Sequence, residues 1–176
     1  MAASTLVRRL HILDEEDIAG LAALLIDCVD DGAAVSFLHP LAPDEARDFW
    51  RQIGAGIDRG ARALLVAEDE TGILGTVQLV LEQPENQPHR ADLAKMLVHR
   101  RARRRGLGAA LLNAAEELAR DCGKSLLVLD TNEGSEAERL YTRAGWKRVG
   151  RIPNYSVLPR GGLHATVMYY KEIEQR

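Results

Sequence analysis

Arg103-Arg104-Arg105-Gly106-Leu107-Gly108 stands between a run of strand character, Ala91 to Val98, and a segment in which Leu107, Leu111, Ala114, Leu118 and Cys122 recur at helical spacing. Gly123 ends that helix. Beyond it, Ser125 to Asp130 is nearly all apolar, as expected of a strand buried on both faces. Strand, helix and strand in this order make a βαβ unit, so the two strands should run parallel in one sheet. The turn between them also carries chemistry. The unpaired N–H groups of a first helical turn converge on one spot, and the helix dipole adds positive potential there. Gly106 and Gly108 keep side chains away from phosphate oxygens, and the arginines supply charge-assisted hydrogen bonds. The segment suits a diphosphate; a solvated basic helix start is the plainer alternative. It is not a Walker loop, since no Gly-Lys-Ser/Thr follows, and it does not match Gly-x-Gly-x-x-Gly.

Working outward, Ser135 with Glu138 reads as a capping box that opens a helix burying Ala137, Leu140, Tyr141 and Ala144 and stopping at Gly145. Closing strands are expected over Lys147 to Arg151 and His164 to Lys171. Upstream, residues 62–68 and 73–82 form a hairpin around Asp69-Glu70-Thr71-Gly72. Thr5 to Ile12 is a first strand, and Asp14 to Asp17 place negative charge at the start of a helix with Ile18, Leu21, Leu25 and Cys28 on its apolar face. Pro43 opens a second helix that buries Ala46, Phe49, Trp50, Ile53 and Ile57. The intervening stretch, Gly32 to Leu41, is too apolar for a solvated linker and is expected to cover a site. Without repeats or composition breaks, residues 1–176 are expected to form one domain.

Composition agrees with a conventional core: 46% hydrophobic and 28% charged residues exclude disorder and fibrous repeats. A net charge of −3 argues against general nucleic-acid binding, and the arginines between Arg100 and Arg105 are a local exception. Cys28 and Cys122 lie in separate helical patterns without ligand spacing, and no apolar leader or span is present, so a soluble cytoplasmic protein is expected. His39, His89, His99 and His164 do not recur at ligand spacing, which speaks against a metal.

With these residues in view, the chain resembles the GCN5-related N-acetyltransferase superfamily. Its signature, Arg/Gln-x-x-Gly-x-Gly/Ala after the fourth strand, is filled by Arg103, Gly106 and Gly108, and Leu140-Tyr141 with Gly145-Trp146 stands in register. The resemblance covers nearly the whole chain. It implies an α/β (α+β) fold with a mixed, mostly antiparallel central sheet of about six to seven strands, flanked by about four helices and splayed between strands four and five. More narrowly, Arg90 to Val98, Leu129-Asp130-Thr131, Gly134-Ser135, Pro153-x-Tyr155 and Gly162-Leu163-His164 are similar to the tabtoxin-resistance acetyltransferases, which acetylate a β-lactam phytotoxin.

The resemblance implies transfer of an acetyl group from acetyl-CoA to the primary amine of a small molecule by direct attack, with no covalent enzyme intermediate and no metal. The pyrophosphate would lie on Arg103, Arg104, Arg105, Gly106, Leu107 and Gly108, and the pantetheine arm along Met96, Leu97 and Val98. Asn132 either holds that arm or completes a loop. Tyr141 occupies the position of the general acid, against the default of a tethered core hydroxyl. Asp92 and Asp130 are candidate bases, alone or through a water; the alternatives are an exposed strand residue and a turn cap. Tyr155 and His164 are candidates for the acceptor pocket. A toxin- or antibiotic-detoxifying enzyme fits this pattern, as does a homodimer. The competing functions are acetylation of protein N-termini or lysines, and a non-catalytic module that binds acyl-CoA or nucleic acid.

Overall fold

A computed structural model describes residues 5–174. β1 (Leu6–Leu10) is followed by α1 (Glu15–Asp30), α2 (Pro43–Asp58), the hairpin strands β2 (Arg62–Asp69) and β3 (Gly72–Val80), and β4 (Arg90–Val98). A short 3-10 turn (Arg100–Ala102) leads to α3 (Leu107–Asp121), β5 (Leu126–Asn132), α4 (Glu136–Arg143), β6 (Lys147–Val157) and β7 (Leu163–Glu172). The strands form one sheet in the order β1-β2-β3-β4-β5-β7-β6. Among the described residues β4 and β5 are its parallel pair, because α3 carries the chain back across the sheet between them.

That pair is short. Arg90 faces Leu126, Ala91 faces Leu127 and Asp92 faces Val128, after which the two strands part. Just past the last pair, Lys95 and Met96 stand opposite Val77 alone, because Gln78 pairs with Ala94 and Thr76 with Leu97. Lys95 takes φ 50° at this bulge. A bulge bends its strand and sharpens its twist, which turns the second half of β4 away from β5.

Strand alternation divides the core between the two faces. Leu64 and Val66 of β2 pack with Ile18, Leu21 and Leu25 of α1 and Trp50 and Ile53 of α2. Ala63, Leu65 and Ala67 of the same strand pack with Leu111, Leu112 and Ala115 of α3. Asp14 caps α1, accepting from the Asp17 N–H at 2.8 Å while the Asp17 carboxylate accepts from the Asp14 N–H at 3.5 Å. Such a reciprocal cap is worth about 1 kcal/mol.

Three local expectations shift. The buried stripe of α3 is Leu107, Leu111, Leu112, Ala115 and Ala119, with Ala114 and Leu118 only half-buried. β5 buries Leu127 and Leu129 on one face only; Val128 and Asp130 on the other face border a cleft. β6 runs on to Val157, because a register shift between Ile152 and Ser156 absorbs Pro153 and Asn154, the latter at φ 53°.

Candidate active site

The start of α3 presents backbone donors that no side chain caps. Gly106 takes φ 83°, a left-handed conformation that suits glycine, and serves as a cap without a side chain. The N–H groups of the first turn therefore have no capping side chain, and Leu107, Gly108 and Ala109 form the wall of a cleft of about 880 Å³. Gly108 contributes through packing instead. A Cβ there would lie 3.1 Å from Leu140 Cδ2, so its bareness lets α4 close against α3. Opposite stand Met96, Leu97 and Val98 of β4, and the end of α1 supplies Cys28, Asp31 and Gly32.

The arginines separate by role. Arg100 donates to buried Asp27 through Nε at 2.8 Å, and its backbone N–H donates to the same carboxylate at 3.0 Å. Burial pulls the Asp27 carboxyl upward, but these hydrogen bonds and the neighbouring His99 and Arg100 outweigh it and hold its pKa below the usual carboxylate value. Arg101 reaches the Thr71 carbonyl at 3.4 Å, away from the cleft. Arg103 pairs with Asp31 and donates to the Val98 carbonyl at 3.3 Å, so it already lies across the cleft mouth. Arg104, at φ 60°, lines the cleft, and α4 adds Arg139 and Arg143. Four guanidinium groups thus border one cavity.

On the other side of the parted strands lies a second cleft of about 480 Å³, bordered by α2, β2, β3, β4 and β5. Asp92 and Asp130 both line it. Asp92 is held by Arg90 and by Gln83 Nε2 at 3.1 Å. Among the described residues Asp130 accepts only from the Thr166 hydroxyl, at 3.0 Å. Lys95 donates to the Val35 carbonyl at 2.9 Å and the Ser36 hydroxyl at 2.8 Å, with its ammonium 5.6 Å from the Phe49 ring centre. Burial lowers its pKa, with Arg62 adding to the effect and Asp130 opposing it.

Tyr141 is 4% exposed, packed between Trp146 and Tyr169 with ring centres 5.7 and 6.3 Å away. Among the described residues no hydrogen bond engages its hydroxyl, so the phenol is not tethered in the manner of an ordinary core tyrosine. Burial, followed by the charge of Asp130, raises its pKa above the usual phenol value.

Of the residues singled out from sequence, Met96, Leu97, Val98, Arg103, Arg104, Gly106, Leu107 and Gly108 come together in the first cleft, while Arg105, Asn132 and Tyr141 lie outside its lining. Tyr155 and His164 border neither cleft: Tyr155 is exposed on β6, and His164 Nε2 lies 3.0 Å from the Glu133 carbonyl oxygen. Arg139 and Arg143, Lys95 and Arg62 were not anticipated. The i, i+4 spacing of Arg139 and Arg143 around Tyr141 was the available signal for the first two. The stretch from Gly32 to Leu41 does meet the site, through Gly32 and Ala33 in the first cleft and the Val35 and Ser36 contacts with Lys95. The Ser135 hydroxyl accepts from the Glu138 N–H at 3.1 Å as expected, but the Glu138 carboxylate turns to the Gly134 N–H at 2.6 Å instead of closing a box on Ser135. Among the described residues no cluster of side chains could hold a metal ion, and no helix is long and apolar enough to cross a membrane.

Residues 30–146 match the profile of the acetyltransferase (GNAT) family. An uncharacterized N-acetyltransferase from the hisH-hisA intergenic region of Azospirillum brasilense is 31% identical over 152 residues, 84% of this chain and 89% of that one. Human N-acetyltransferase 8B is 36% identical over 88 residues, 49% of this chain but only 39% of the length of that relative. Among solved structures, yncA from Salmonella typhimurium with its cofactor acetyl-CoA superposes with a TM-score of 0.78 at 20% identity, over 98% of this chain and 95% of that one. At such identity the likeness is one of fold.

Proposed function

The chain belongs to the acetyltransferase (GNAT) family, and from that premise we propose that it moves the acetyl group of acetyl-CoA to the primary amine of a small molecule by direct attack. The observation that carries this reading is the continuity between the uncapped start of α3 and the parted edge of β4 within one cationic cleft. The first-turn N–H groups with Arg103, Arg104, Arg139 and Arg143 suit a pyrophosphate, and Arg105 and Asn132 remain in reserve for a further phosphate and for the arm. The edge from Met96 to Val98, unpaired toward β5, can take up an extended polar arm as an added strand would be taken up. Acetyl-CoA bound there would supply the acetyl group as a thioester.

Tyr141 keeps its proton at working pH, because burial and Asp130 both oppose ionisation, and its untethered hydroxyl is free to give that proton to a departing thiolate. Between the carboxylates, Asp130 is the better base. Asp92 is occupied by Arg90 and Gln83, whereas among the described residues Asp130 has one neutral donor and stands where the strands diverge. It would take the proton of an incoming ammonium directly or through a water. The likeness to the tabtoxin-resistance acetyltransferases supports a small amine, with toxin or antibiotic detoxification as the role in the cell.

Calorimetry with acetyl-CoA tests the donor half of this reading. Binding with a dissociation constant of about 100 μM or tighter is expected, and no heat at that concentration would overturn it. Thiol release from acetyl-CoA in the presence of amino acids, polyamines, aminoglycosides and β-lactam toxins tests the acceptor half.

A further inference from the structure

Among the described residues, the second cleft contains two charged groups that form no ion pair or hydrogen bond with a group of opposite charge. Arg90 is neutralised by Asp92, and Lys95 is taken up by the Val35 carbonyl, the Ser36 hydroxyl and the Phe49 ring. What remains is Asp130, whose hydrogen-bond donor is the neutral Thr166 hydroxyl, and Arg62, whose partner is neutral as well. Arg62 Nη1 donates to Gln78 Oε1 at 2.7 Å, and among the described residues no carboxylate pairs with it.

Arg62 is nonetheless held in place. Gln78 is 1% exposed, so its amide is a fixed, buried acceptor. On the other flank, α2 is notched for the arginine stem: a Cβ on Gly56 would lie 3.0 Å from Arg62 Cδ and 3.4 Å from its Nε. A long flexible side chain is thereby pinned between a helix and a buried amide, which lowers the ordering cost of binding a ligand. A guanidinium so oriented offers its remaining N–H groups as a planar fork that fits a carboxylate.

The register sets the spacing. Arg62 pairs with Val80, Val80 with Asp92, and Asp92 with Val128, so these residues share one row and one face of the sheet. Because Nη1 reaches Gln78, the guanidinium lies over β3 and not over its own strand. From β3 to β5 is two strand spacings, about 10 Å where the strands are paired, and more at Asp130, which lies past the last β4–β5 pair. With a hydrogen bond of about 2.9 Å at each end, the remaining span suits an amine and an anion on one small molecule, their separation set by how far the strands have parted.

Resting on the acetyltransferase reading, we propose that the acceptor is a zwitterion, an amino acid or a close analogue, whose ammonium is held at Asp130 and whose carboxylate is bound by Arg62. A polyamine would place a second cation against Arg62 and Lys95, and a neutral amine would leave Arg62 desolvated without a counter-charge.

The test pairs each of a series of α-, β- and γ-amino acids with its own carboxamide in a thiol-release assay with acetyl-CoA and the full chain. The free acids are expected to exceed their amides by at least about tenfold in kcat/KM. Arg62→Gln should erase that preference by raising KM for the acids at least about tenfold relative to the amides, with the KM for acetyl-CoA retained. Amides used as well as acids, or a variant that weakens both alike, would overturn the proposal. The comparison of acid with amide on the unaltered protein decides the matter even if the variant fails to fold. Acetyl-CoA binding without turnover of either series overturns the acceptor class and leaves the donor site standing; no acetyl-CoA binding overturns both.

Discussion

Gly108 on α3 and Leu140 on α4 approach so closely that a methyl group on the first would lie 3.1 Å from Cδ2 of the second. This contact sets the width of the cationic cleft, since both residues line it. Gly108→Ala gains up to about 1 kcal/mol in helix propensity, which offsets the strain of moving Leu140. The expected result is a melting temperature within a few degrees of the original and acetyl-CoA affinity reduced about tenfold. Gly106→Ala acts through the backbone instead: nothing lies within 4 Å of its added carbon, but φ 83° costs an alanine about 1–2 kcal/mol. That variant should lose stability as well as affinity. Thermal melting together with calorimetry separates the two; equal stability in both variants would contradict the assignment.

Tyr141→Phe removes the untethered hydroxyl while keeping the ring between Trp146 and Tyr169. A fall in kcat of about 10²–10⁴-fold with little change in acetyl-CoA affinity is expected. Because burial first and Asp130 second raise the Tyr141 pKa above 10.0, its proton is retained through the alkaline range. The rate profile of the unaltered protein should accordingly show no loss below about pH 10 from this residue. A phenylalanine variant with unchanged kcat would remove Tyr141 from the chemistry.

Cys28 lines the cleft yet should be inert. Burial, reinforced by the charge of Asp27, pushes its thiol pKa up to about 11 against the opposing pull of Arg103. The thiol is the unreactive form at neutral pH, so brief treatment with iodoacetamide should modify the half-buried Cys122 and spare Cys28. Peptide mass mapping reads this directly. Cys28→Ala is expected to keep turnover within about twofold, at a cost of roughly 1 kcal/mol in stability.

The Asp27 carboxylate should give the fold an acid-sensitive joint between α1 and the turn after β4. Its folded pKa lies below 3.8, the unfolded reference, so its contribution is fully present above that value and is lost as the pH falls through the lower folded pKa. Asp27→Ala leaves the Arg100 N–H without its acceptor and should cost about 1–3 kcal/mol at pH 7. The difference between the variant and the original should shrink below about pH 3.5 in acid titrations followed by circular dichroism. A pH-independent difference would show that packing, and not charge, sets its value.

Elements with strong periodicity were legible from sequence. Ile18, Leu21, Leu25 and Cys28 mark the buried side of α1, and the βαβ order around Gly106 implied the parallel pair that the sheet contains. The end of β6 was not legible, because its residues are almost all exposed and carry no burial pattern, and Pro153 falls at the irregular register. At the site, the glycines and arginines were visible because they are contiguous. The restraint of Asp92 by Arg90 and Gln83, and the meeting of Arg62 with Gln78 and Gly56, arise from sheet register and helix packing, which no local spacing records. Gly108 was legible as a small residue of the turn into α3, but its contact with Leu140 was not.

The three pairs that join β4 to β5 give the sheet a seam. An exposed strand edge ordinarily invites another chain and must be blunted by charge or distortion. Here the edge from Met96 to Val98 borders the same cleft as the start of α3 and the residues of α4. A ligand seated there would act as a cross-brace between two half-sheets, β1 to β4 on one side and β5 to β7 on the other, and its binding energy would add to the cohesion of the whole fold.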